Sequence, residues 1–337
     1  MATHHPGGQP DPGFIFGEMQ LYQRSMAIKG AVELDIFTHI DGGSATAADL
    51  AAKCGASERG VRILCDYLTV SGHLVKQDDA YQLTPTSRTF LSKESGAYLG
   101  SMAGFLMSGP QLAAFRDVAG AVRNGGAVKS ESLVPESPMW VEFARSMAPL
   151  AAMVGGVAAE RLIADHGPMR ILDIAAGHGM YGIAMARRNP EAEITGQDWS
   201  NVLQVASENA RRAGLDGRYR ILPGDAFEVE FGGPYDLVLV PNFAHHFDAP
   251  TTTAFFQKCR AALKPTGRIA LIEFVPDENR VSPPAQAAFA LTMLVGTPAG
   301  DAYTFSEYKQ MLDGAGFRNC GMIGLDGIPQ RLIVAEA

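Results

Sequence analysis

The stretch Ile171-Leu-Asp-Ile-Ala-Ala-Gly-His-Gly-Met-Tyr-Gly182 decides the fold. Its apolar first half has the composition of a buried strand, and its second half allows a tight turn into a helix N-terminus through Gly177, Gly179 and Gly182. A second predicted strand, residues 193–197, is followed by Asp198, whose carboxylate can accept a hydrogen bond from a ribose hydroxyl. The pattern therefore predicts a nucleoside-containing cofactor. The glycine turn alone does not say which one, because it fits a dinucleotide equally well.

Further features separate these cofactors. Asp173 precedes the glycine turn. A carboxylate at this position would repel a pyrophosphate, whereas a cofactor that has an amino-acid end and no phosphate tolerates it. A third predicted strand, residues 219–222, leads to Asp225, Ala226 and Phe227, which offer a carboxylate to an adenine amino group and a ring to its face. The segment 263–268 then marks a break before another apolar strand.

Together these motifs resemble those of class I S-adenosylmethionine-dependent methyltransferases. More narrowly, they resemble the caffeic-acid O-methyltransferase-like enzymes that carry an N-terminal dimerisation domain, from Phe14 to the C-terminus. The resemblance implies a Rossmann-like α/β sheet, S-adenosylmethionine as cofactor, S-adenosylhomocysteine as product and no metal. It implies that the cofactor is bound by Asp173, Gly177, Gly179, Asp198, Trp199, Asp225, Ala226, Phe227 and Asn242.

Composition restricts the partners and the compartment. The 337 residues are 47% hydrophobic and carry a net charge of -8, which argues against nonspecific binding to nucleic acid or anionic membranes. The four cysteines are scattered without metal-ligand spacing and indicate reduced thiols in a cytoplasmic protein. Residues 1–13 lack the apolar core of a signal peptide and are predicted to be a disordered tail.

Residues 14–100 are predicted to form a winged helix. Two helices, 44–55 and 57–68, are followed by a hairpin around Asp78-Asp79. Winged helices commonly bind DNA, but the second helix offers only Arg59 and Arg62 beside acidic residues, which is a poor electrostatic footprint. In the resembling family this domain mediates dimerisation, so we expect a homodimer; the alternative is a ligand-sensing DNA-binding regulator.

The rest of the chain divides into a helical linker, residues 101–165, and a cofactor domain, residues 166–337. In the linker, Phe143 and Met147 match a family segment that faces the acceptor, although core packing would explain them equally well. Strands alternate with helices after residue 170, which predicts a mainly parallel sheet. A capping box at 304–307 predicts the last helix, and the predicted strands are 170–174, 193–197, 219–222, 236–240, 268–274, 320–325 and 331–335.

His245 follows the fourth parallel strand, where the family has a catalytic histidine. A phenol has a pKa near 10, so a histidine with a pKa of about 6.5 can take its proton as the methyl group is transferred. Glu273 matches the first of two acids that flank this histidine in plant members. Ala302 occupies the position of the second acid, and the neighbouring Asp301 is out of register.

The sequence predicts an apolar acceptor pocket. Its predicted lining is Phe143, Met147, Met153, Met180, His246, Phe289 and Met293, with Tyr22 supplied across the dimer interface. We therefore expect O-methylation of a small aromatic hydroxyl acceptor with His245 as general base. Methylation of carbon or nitrogen and a non-methylating relative are the alternatives. His178 is expected to matter through its backbone more than through its ring, and nothing in the sequence names the acceptor.

Overall fold

A computed structural model describes residues 9–43, 45–127, 134–163 and 167–337. The chain divides into two compact units, residues 1–108 and residues 109–337. Most of the predicted helical linker therefore belongs to the second unit.

The first unit combines short helices with a three-stranded antiparallel sheet in the order β1-β3-β2. Its elements are α1 (Pro12–Met19), α2 (Leu21–Glu33), α3 (Ile36–Ile40), β1 (Ala45–Thr46), α4 (Ala47–Cys54), α5 (Glu58–Val70), β2 (Leu74–Gln77), β3 (Ala80–Leu83), α6 (Pro85–Leu91) and α7 (Met102–Leu106).

Two sequence predictions for this unit are wrong in detail. The predicted tail, residues 1–13, overlaps α1, because the Asp11 side chain accepts the Gly13 N–H and Pro12 is preset for the first helical turn. The predicted helix 44–55 begins later, because Thr46 and Asp49 form a capping box and residues 45–46 pair with β3. Ser44, the predicted first residue of that helix, lies outside the described residues.

The second unit contains the predicted alternation of strands and helices. Its elements are α8 (Gly109–Ala114), α9 (Val118–Asn124), α10 (Pro138–Leu162), β4 (Met169–Ile174), α11 (Met180–Arg188), β5 (Ala192–Asp198), α12 (Ser200–Arg212), β6 (Tyr219–Pro223), β7 (Tyr235–Pro241), α13 (Ala249–Ala261), β8 (Leu263–Glu273), α14 (Pro284–Gly296), α15 (Phe305–Gly314), β9 (Arg318–Gly324) and β10 (Arg331–Glu336). Short 3₁₀ turns cover Phe115–Asp117 and Ala244–His246.

The seven strands follow the order β6-β5-β4-β7-β8-β10-β9. The first five are parallel, and β10 is inserted antiparallel between β8 and β9. The predicted break at 263–268 lies within β8, because the pairing with β7 shifts register and absorbs the extra residues. The capping box that was predicted at Thr304 and Glu307 is confirmed.

Both faces of the sheet are buried. Successive strand residues point to opposite faces, so Ile171 joins the core beneath α10, α11 and α12, whereas Leu172 joins the core beneath α13 and α15. The carboxyl ends of the parallel strands therefore meet at one open edge, where the polar side chains collect. None of the helices in the described ranges is both long and apolar enough to cross a membrane.

Candidate active site

The turn after β4 is braced against the end of β5. The Gly177 N–H donates to Asp198 Oδ2 at 2.8 Å, and the Trp199 N–H donates to Asp198 Oδ1 at 2.7 Å. Each carboxylate oxygen keeps a second lone pair for another donor. Burial raises the pKa of Asp198 to about 6, although these two N–H groups oppose the rise.

The two glycines of the turn have different surroundings. Both have positive φ, 56° for Gly177 and 73° for Gly179. A Cβ on Gly177 would meet only the Ala175 carbonyl oxygen, at 3.7 Å, so space for a ligand lies beside it. A Cβ on Gly179 would lie 2.9 Å from the Tyr219 hydroxyl, so Gly179 serves the packing of the turn. A cofactor contact of Gly179 stays a prediction.

Asp173 lies beneath this turn and is fully buried. Its Oδ2 accepts the Gly182 N–H at 2.9 Å, and Oδ1 has no hydrogen-bond partner among the described residues. Burial raises the pKa of Asp173 to about 7. An unpartnered buried oxygen at a strand end is an acceptor that a bound ligand or water would satisfy.

Asn242, after β7, provides a second such acceptor. Its backbone has a φ of 51°, a left-handed conformation that asparagine tolerates. Residues in such sparsely populated conformations cluster at functional sites. Its Nδ2 donates to the Tyr181 hydroxyl at 2.9 Å, whereas its buried Oδ1 has no partner in the described ranges.

The predicted adenine contacts are only partly brought together. Asp225 accepts the Phe227 N–H at 2.8 Å, and the Phe227 ring, 37% exposed, packs against Phe243, Phe247 and Phe255. Ala226 is buried in the core, so its side chain supports this segment from beneath. Trp199 borders a separate cavity of about 480 Å³ that is lined by Pro135, Glu136, Trp199, Ser200, Pro223 and Gly224.

The predicted cofactor fits these groups. S-adenosylmethionine presents ribose hydroxyls for the free lone pairs of Asp198 and an ammonium group for unpartnered acceptor oxygens such as Oδ1 of Asn242. The open side of Gly177 leaves room for its methionine end. The acceptor oxygens of Asp198 and Asn242 favour a ligand with hydroxyl and ammonium donors over one with a pyrophosphate.

His245 is held by a fully buried carboxylate. Its Nδ1 lies 2.5 Å from Glu273 Oε2, and Glu273 Oε1 accepts the N–H groups of Phe243 and Ala244. Because an ionised carboxylate only accepts, the shared hydrogen belongs to Nδ1 and the neutral ring offers Nε2 as its basic nitrogen. The predicted pairing of these two residues is therefore present in the structure.

The loop before α15 supports His245 through its backbone. The Asp301 N–H donates to the His245 carbonyl oxygen at 3.0 Å, and a Cβ on Gly300 would lie 2.2 Å from that oxygen. The Asp301 side chain accepts hydrogen bonds from Arg280 and from the N–H of the next residue, Ala302. Ala302 is fully buried and has no carboxylate. Within the described residues, Glu273 is therefore the one carboxylate hydrogen-bonded to His245.

Aromatic rings surround the imidazole. Phe289 packs edge-on to His245, with centroids 4.9 Å apart, and stacks on Phe274 at 4.1 Å. The ring centroid of His246 lies 4.5 Å from that of His245 and 5.5 Å from that of Trp140, to which it is edge-on. Burial, and then the neighbouring His245, holds the pKa of His246 well below its usual range. Its Nδ1 has no partner in the part of the chain that is described.

The other predicted pocket residues are scattered. Phe143 reaches the aromatic group through Trp140 at 5.6 Å, and Met293 is buried. Met147 is half-buried on α10, and Met153 is 44% exposed. Met180 borders a groove of about 260 Å³ between α10 and α11, together with Arg187 and Arg188, and its place in the acceptor pocket stays a prediction. Tyr22 belongs to the other unit and is 65% exposed, so its role across a dimer interface stays a prediction.

Sequence reasoning missed three aromatic residues of this site. Trp140 lies one helical turn before Phe143 on α10, a spacing that places both on one face. Tyr181 binds the Asn242 amide. The His178 ring is buried and contacts Phe143 and Tyr181, and the expectation that its backbone matters more than its ring stays a prediction. No group of three or more potential metal ligands occurs among the described residues.

Two family models match the chain. One, described as an O-methyltransferase domain, covers residues 130–318. The other, described as an O-methyltransferase dimerisation domain, covers residues 18–93.

Individual proteins agree with these matches. A crystal structure from Nostoc punctiforme PCC 73102, provisionally assigned as an O-methyltransferase, is 45% identical with a TM-score of 0.94, over 98% of this chain and 100% of that one. A 3-hydroxy-5-methyl-1-naphthoate 3-O-methyltransferase of Streptomyces sahachiroi is 26% identical over 87% of this chain and 86% of that protein. Human N-acetylserotonin methyltransferase, solved with S-adenosylmethionine, shares the fold with a TM-score of 0.86 at 22% identity, over 98% of this chain and 99% of that one.

Gly300→Ala should displace the segment that carries His245, because the added Cβ would overlap the His245 carbonyl oxygen. We expect a loss of about 1–3 kcal/mol in the free energy of unfolding, typical of overpacking, measured by urea denaturation. The control is Gly296→Ala, where a Cβ meets no atom within 4 Å. Equal stability of the two variants would contradict the close contact at Gly300.

Proposed function

Because the chain belongs to the S-adenosylmethionine-dependent O-methyltransferases that join a catalytic domain to a dimerisation domain, we propose that it methylates a hydroxyl group of a small aromatic acceptor, with His245 as general base. The observation that carries this proposal is the buried pair of His245 and Glu273 at the carboxyl edge of the sheet, with Nδ1 and Oε2 2.5 Å apart. An imidazole fixed in this tautomer presents Nε2 to an incoming hydroxyl.

The proposed step conserves protons and charge. The cofactor, when bound, supplies an electrophilic methyl group on a sulfonium sulfur. Nε2 of His245 would take up the proton that the acceptor hydroxyl loses as its oxygen gains that methyl group from the sulfur. The resulting imidazolium is stabilised by Glu273, which keeps its hydrogen bond from Nδ1. The proton then leaves to water and restores the neutral base.

Glu273 acts as a positioning residue in this proposal. Its Oε1 binds two backbone N–H groups of the segment that carries His245, so one carboxylate fixes both the ring and its backbone. This supports a single-acid arrangement, since Asp301 is engaged by Arg280 and Ala302 has no carboxylate. Holding the base and the acceptor in line contributes much of the rate enhancement in such displacements.

The cofactor would be held along the ends of β4, β5 and β7. Asp198 is proposed to bind the ribose, and Asn242 the ammonium group near the sulfonium. Asp173 supports the turn from beneath, and Gly177 lets the methionine end approach the backbone. Trp199 and the segment 225–227 are proposed to border the adenine. Trp199 follows Asp198, and the segment follows Gly224, whose N–H donates to the Asp198 carbonyl oxygen.

An aromatic acceptor suits the rings around His245. Trp140, Phe143 and Phe289 provide flat apolar surfaces, and Met293 adds a polarizable side chain. His246, whose pKa is held low by burial, offers a neutral nitrogen beside the base. The Streptomyces relative is named for a hydroxynaphthoate acceptor, which supports a fused aromatic acceptor here as well.

We further propose a homodimer formed through the first unit. The family model for the dimerisation domain covers residues 18–93. The first helices of this unit expose apolar side chains, with Phe16 64% and Met19 73% accessible. Exposed apolar patches of this kind mark protein–protein contacts. Tyr22, which lies on α2 next to them, is proposed to reach the partner's acceptor pocket, and the hairpin unit is proposed to be a winged helix without DNA-binding function.

The function is tested by incubating the purified protein with S-adenosylmethionine and a panel of phenols, catechols, hydroxynaphthoates, amines and carbon-acidic heteroaromatics. Mass spectrometry should detect a methylated product that fragments to a methoxy group. A methyl group located on carbon or nitrogen would overturn the proposed hydroxyl acceptor and the role of His245 in deprotonating it.

His245→Ala should slow turnover by roughly 10²–10⁴-fold, because the proton then has no positioned acceptor. Binding of S-adenosylhomocysteine, measured by calorimetry, should stay unchanged. His39→Ala on α3, an imidazole of the other unit, is the matched control and should leave both quantities unaltered. Near-normal turnover of His245→Ala would show that proximity alone drives the reaction.

Asp198→Ala should weaken S-adenosylhomocysteine binding by roughly 1.5–3 kcal/mol, the cost of losing charged hydrogen bonds. Because the pKa of Asp198 is raised to about 6, the affinity of the unsubstituted protein should fall as the pH drops through that value and the carboxylate is protonated. Calorimetry between pH 5 and 8 measures both effects.

Asp326→Ala, whose side chain is 92% exposed, serves as the control for Asp198→Ala. The Asp198→Ala variant should lack the affinity step near pH 6. An unchanged affinity, or a step that persists in this variant, would exclude Asp198 as the ribose-binding residue.

A further inference from the structure

His178 occupies the centre of the glycine turn, and its ring is fixed by the backbone. The Met180 N–H donates to Nδ1 at 3.2 Å, and the ring is buried with 5% exposure. A nitrogen that accepts an N–H cannot carry a hydrogen itself, so the neutral ring carries its hydrogen on Nε2. The His178 carbonyl oxygen accepts from Asn209, which fixes the backbone as well.

The ring contacts two aromatic side chains, Phe143 and Tyr181. Its centroid lies 6.5 Å from Phe143 at an interplanar angle of 26°, and 5.7 Å from Tyr181. Nε2 has no hydrogen-bond partner within the described residues. A fixed N–H donor without a protein partner, beside aromatic rings, requires an acceptor atom from a ligand or water.

The contacts form a closed circuit that includes the proposed base. Side-chain contacts run in order from His245 through His246, Trp140, Phe143, His178 and Tyr181 to Asn242. Between Asn242 and His245 the connection is the 3₁₀ turn Ala244–His246 and the residue before it. His178 and His245 are thus two imidazoles of one circuit, one a donor at Nε2 and the other an acceptor at Nε2.

We propose that His178 determines acceptor specificity: its Nε2–H donates a hydrogen bond to a carbonyl or carboxylate oxygen that the aromatic acceptor carries in addition to the methylated hydroxyl. This inference rests on the proposed function, because it places the acceptor beside His245. The two imidazoles then divide the substrate between them, since His245 takes a proton from one oxygen and His178 donates to another.

The environment of the ring supports a neutral donor. Burial lowers the pKa of His178 to about 4, so the ring is uncharged at neutral pH and Nδ1 stays available to Met180. Asp173 and Asp198, at the ends of β4 and β5, bind backbone N–H groups of the turn and its surroundings, and no hydrogen bond joins either of them to the imidazole among the described residues.

The test uses protein loaded with S-adenosylhomocysteine and two probes that share one ring system. 2-Naphthol carries the hydroxyl alone, and 3-hydroxy-1-naphthoate adds a carboxylate. Calorimetry gives the ratio of their dissociation constants, which should favour the naphthoate by roughly tenfold or more, as expected for a hydrogen bond to a charged acceptor. No methyl transfer is needed, so failure of His245 as general base would not affect this readout.

His178→Asn is the informative variant, because the Asn side-chain oxygen can still accept the Met180 N–H while the donor at Nε2 is lost. The ratio should fall to about one with S-adenosylhomocysteine affinity retained, and His178→Gln, whose amide reaches the position of Nε2, should restore much of it. An absent preference in the unsubstituted protein, or a preference that survives His178→Asn, would overturn the proposal. A tenfold loss of S-adenosylhomocysteine affinity with the ratio intact would assign the donor to the cofactor carboxylate instead.

Discussion

Burial of both faces of the parallel sheet is the constraint on which the rest of the second unit depends. Residues such as Ile171 and Leu172 enter opposite cores, so neither face is free to bind a ligand. The carboxyl edge remains, and it is there that Asp198, Asn242 and Glu273 end or follow their strands. The residues proposed to bind the cofactor and the proposed base are thereby brought together from segments that are far apart in the chain.

Within that edge, buried carboxylates organise the backbone. Asp198 binds the N–H groups of Gly177 after β4 and of Trp199 after β5, and Asp173 binds the Gly182 N–H in the first turn of α11. Glu273 binds two N–H groups of the segment that carries His245. Each of these carboxyl groups accepts from backbone N–H groups that would otherwise be unsatisfied. The same hydrogen bonds that stabilise the loops therefore also fix the groups that would meet the substrate, which joins stability to the proposed chemistry.

The sequence predicted the order of strands and helices because hydrophobic periodicity and glycine turns are local signals. The pairing of His245 with Glu273 was also predictable, since both residues follow parallel strands and the carboxyl ends of such strands share an edge. Other predicted site residues stay predictions. Met180 borders a groove between α10 and α11, and the side of a helix that meets a site depends on packing that its own sequence does not record. The contacts of the His178 ring with Phe143 and Tyr181 depend on packing in the same way.

The sequence by itself determined the fold class, the cofactor class and the identity of the central pair, because each follows from short patterns or from a matching family segment. Only the tertiary structure decided the rest. It turned Asp301 toward Arg280, packed Gly179 against Tyr219, and joined Trp140, Phe143 and His178 with the two histidines that follow β7. These contacts join residues from distant parts of the chain, and the direction of each side chain depends on the shape of its neighbours, which no local pattern specifies.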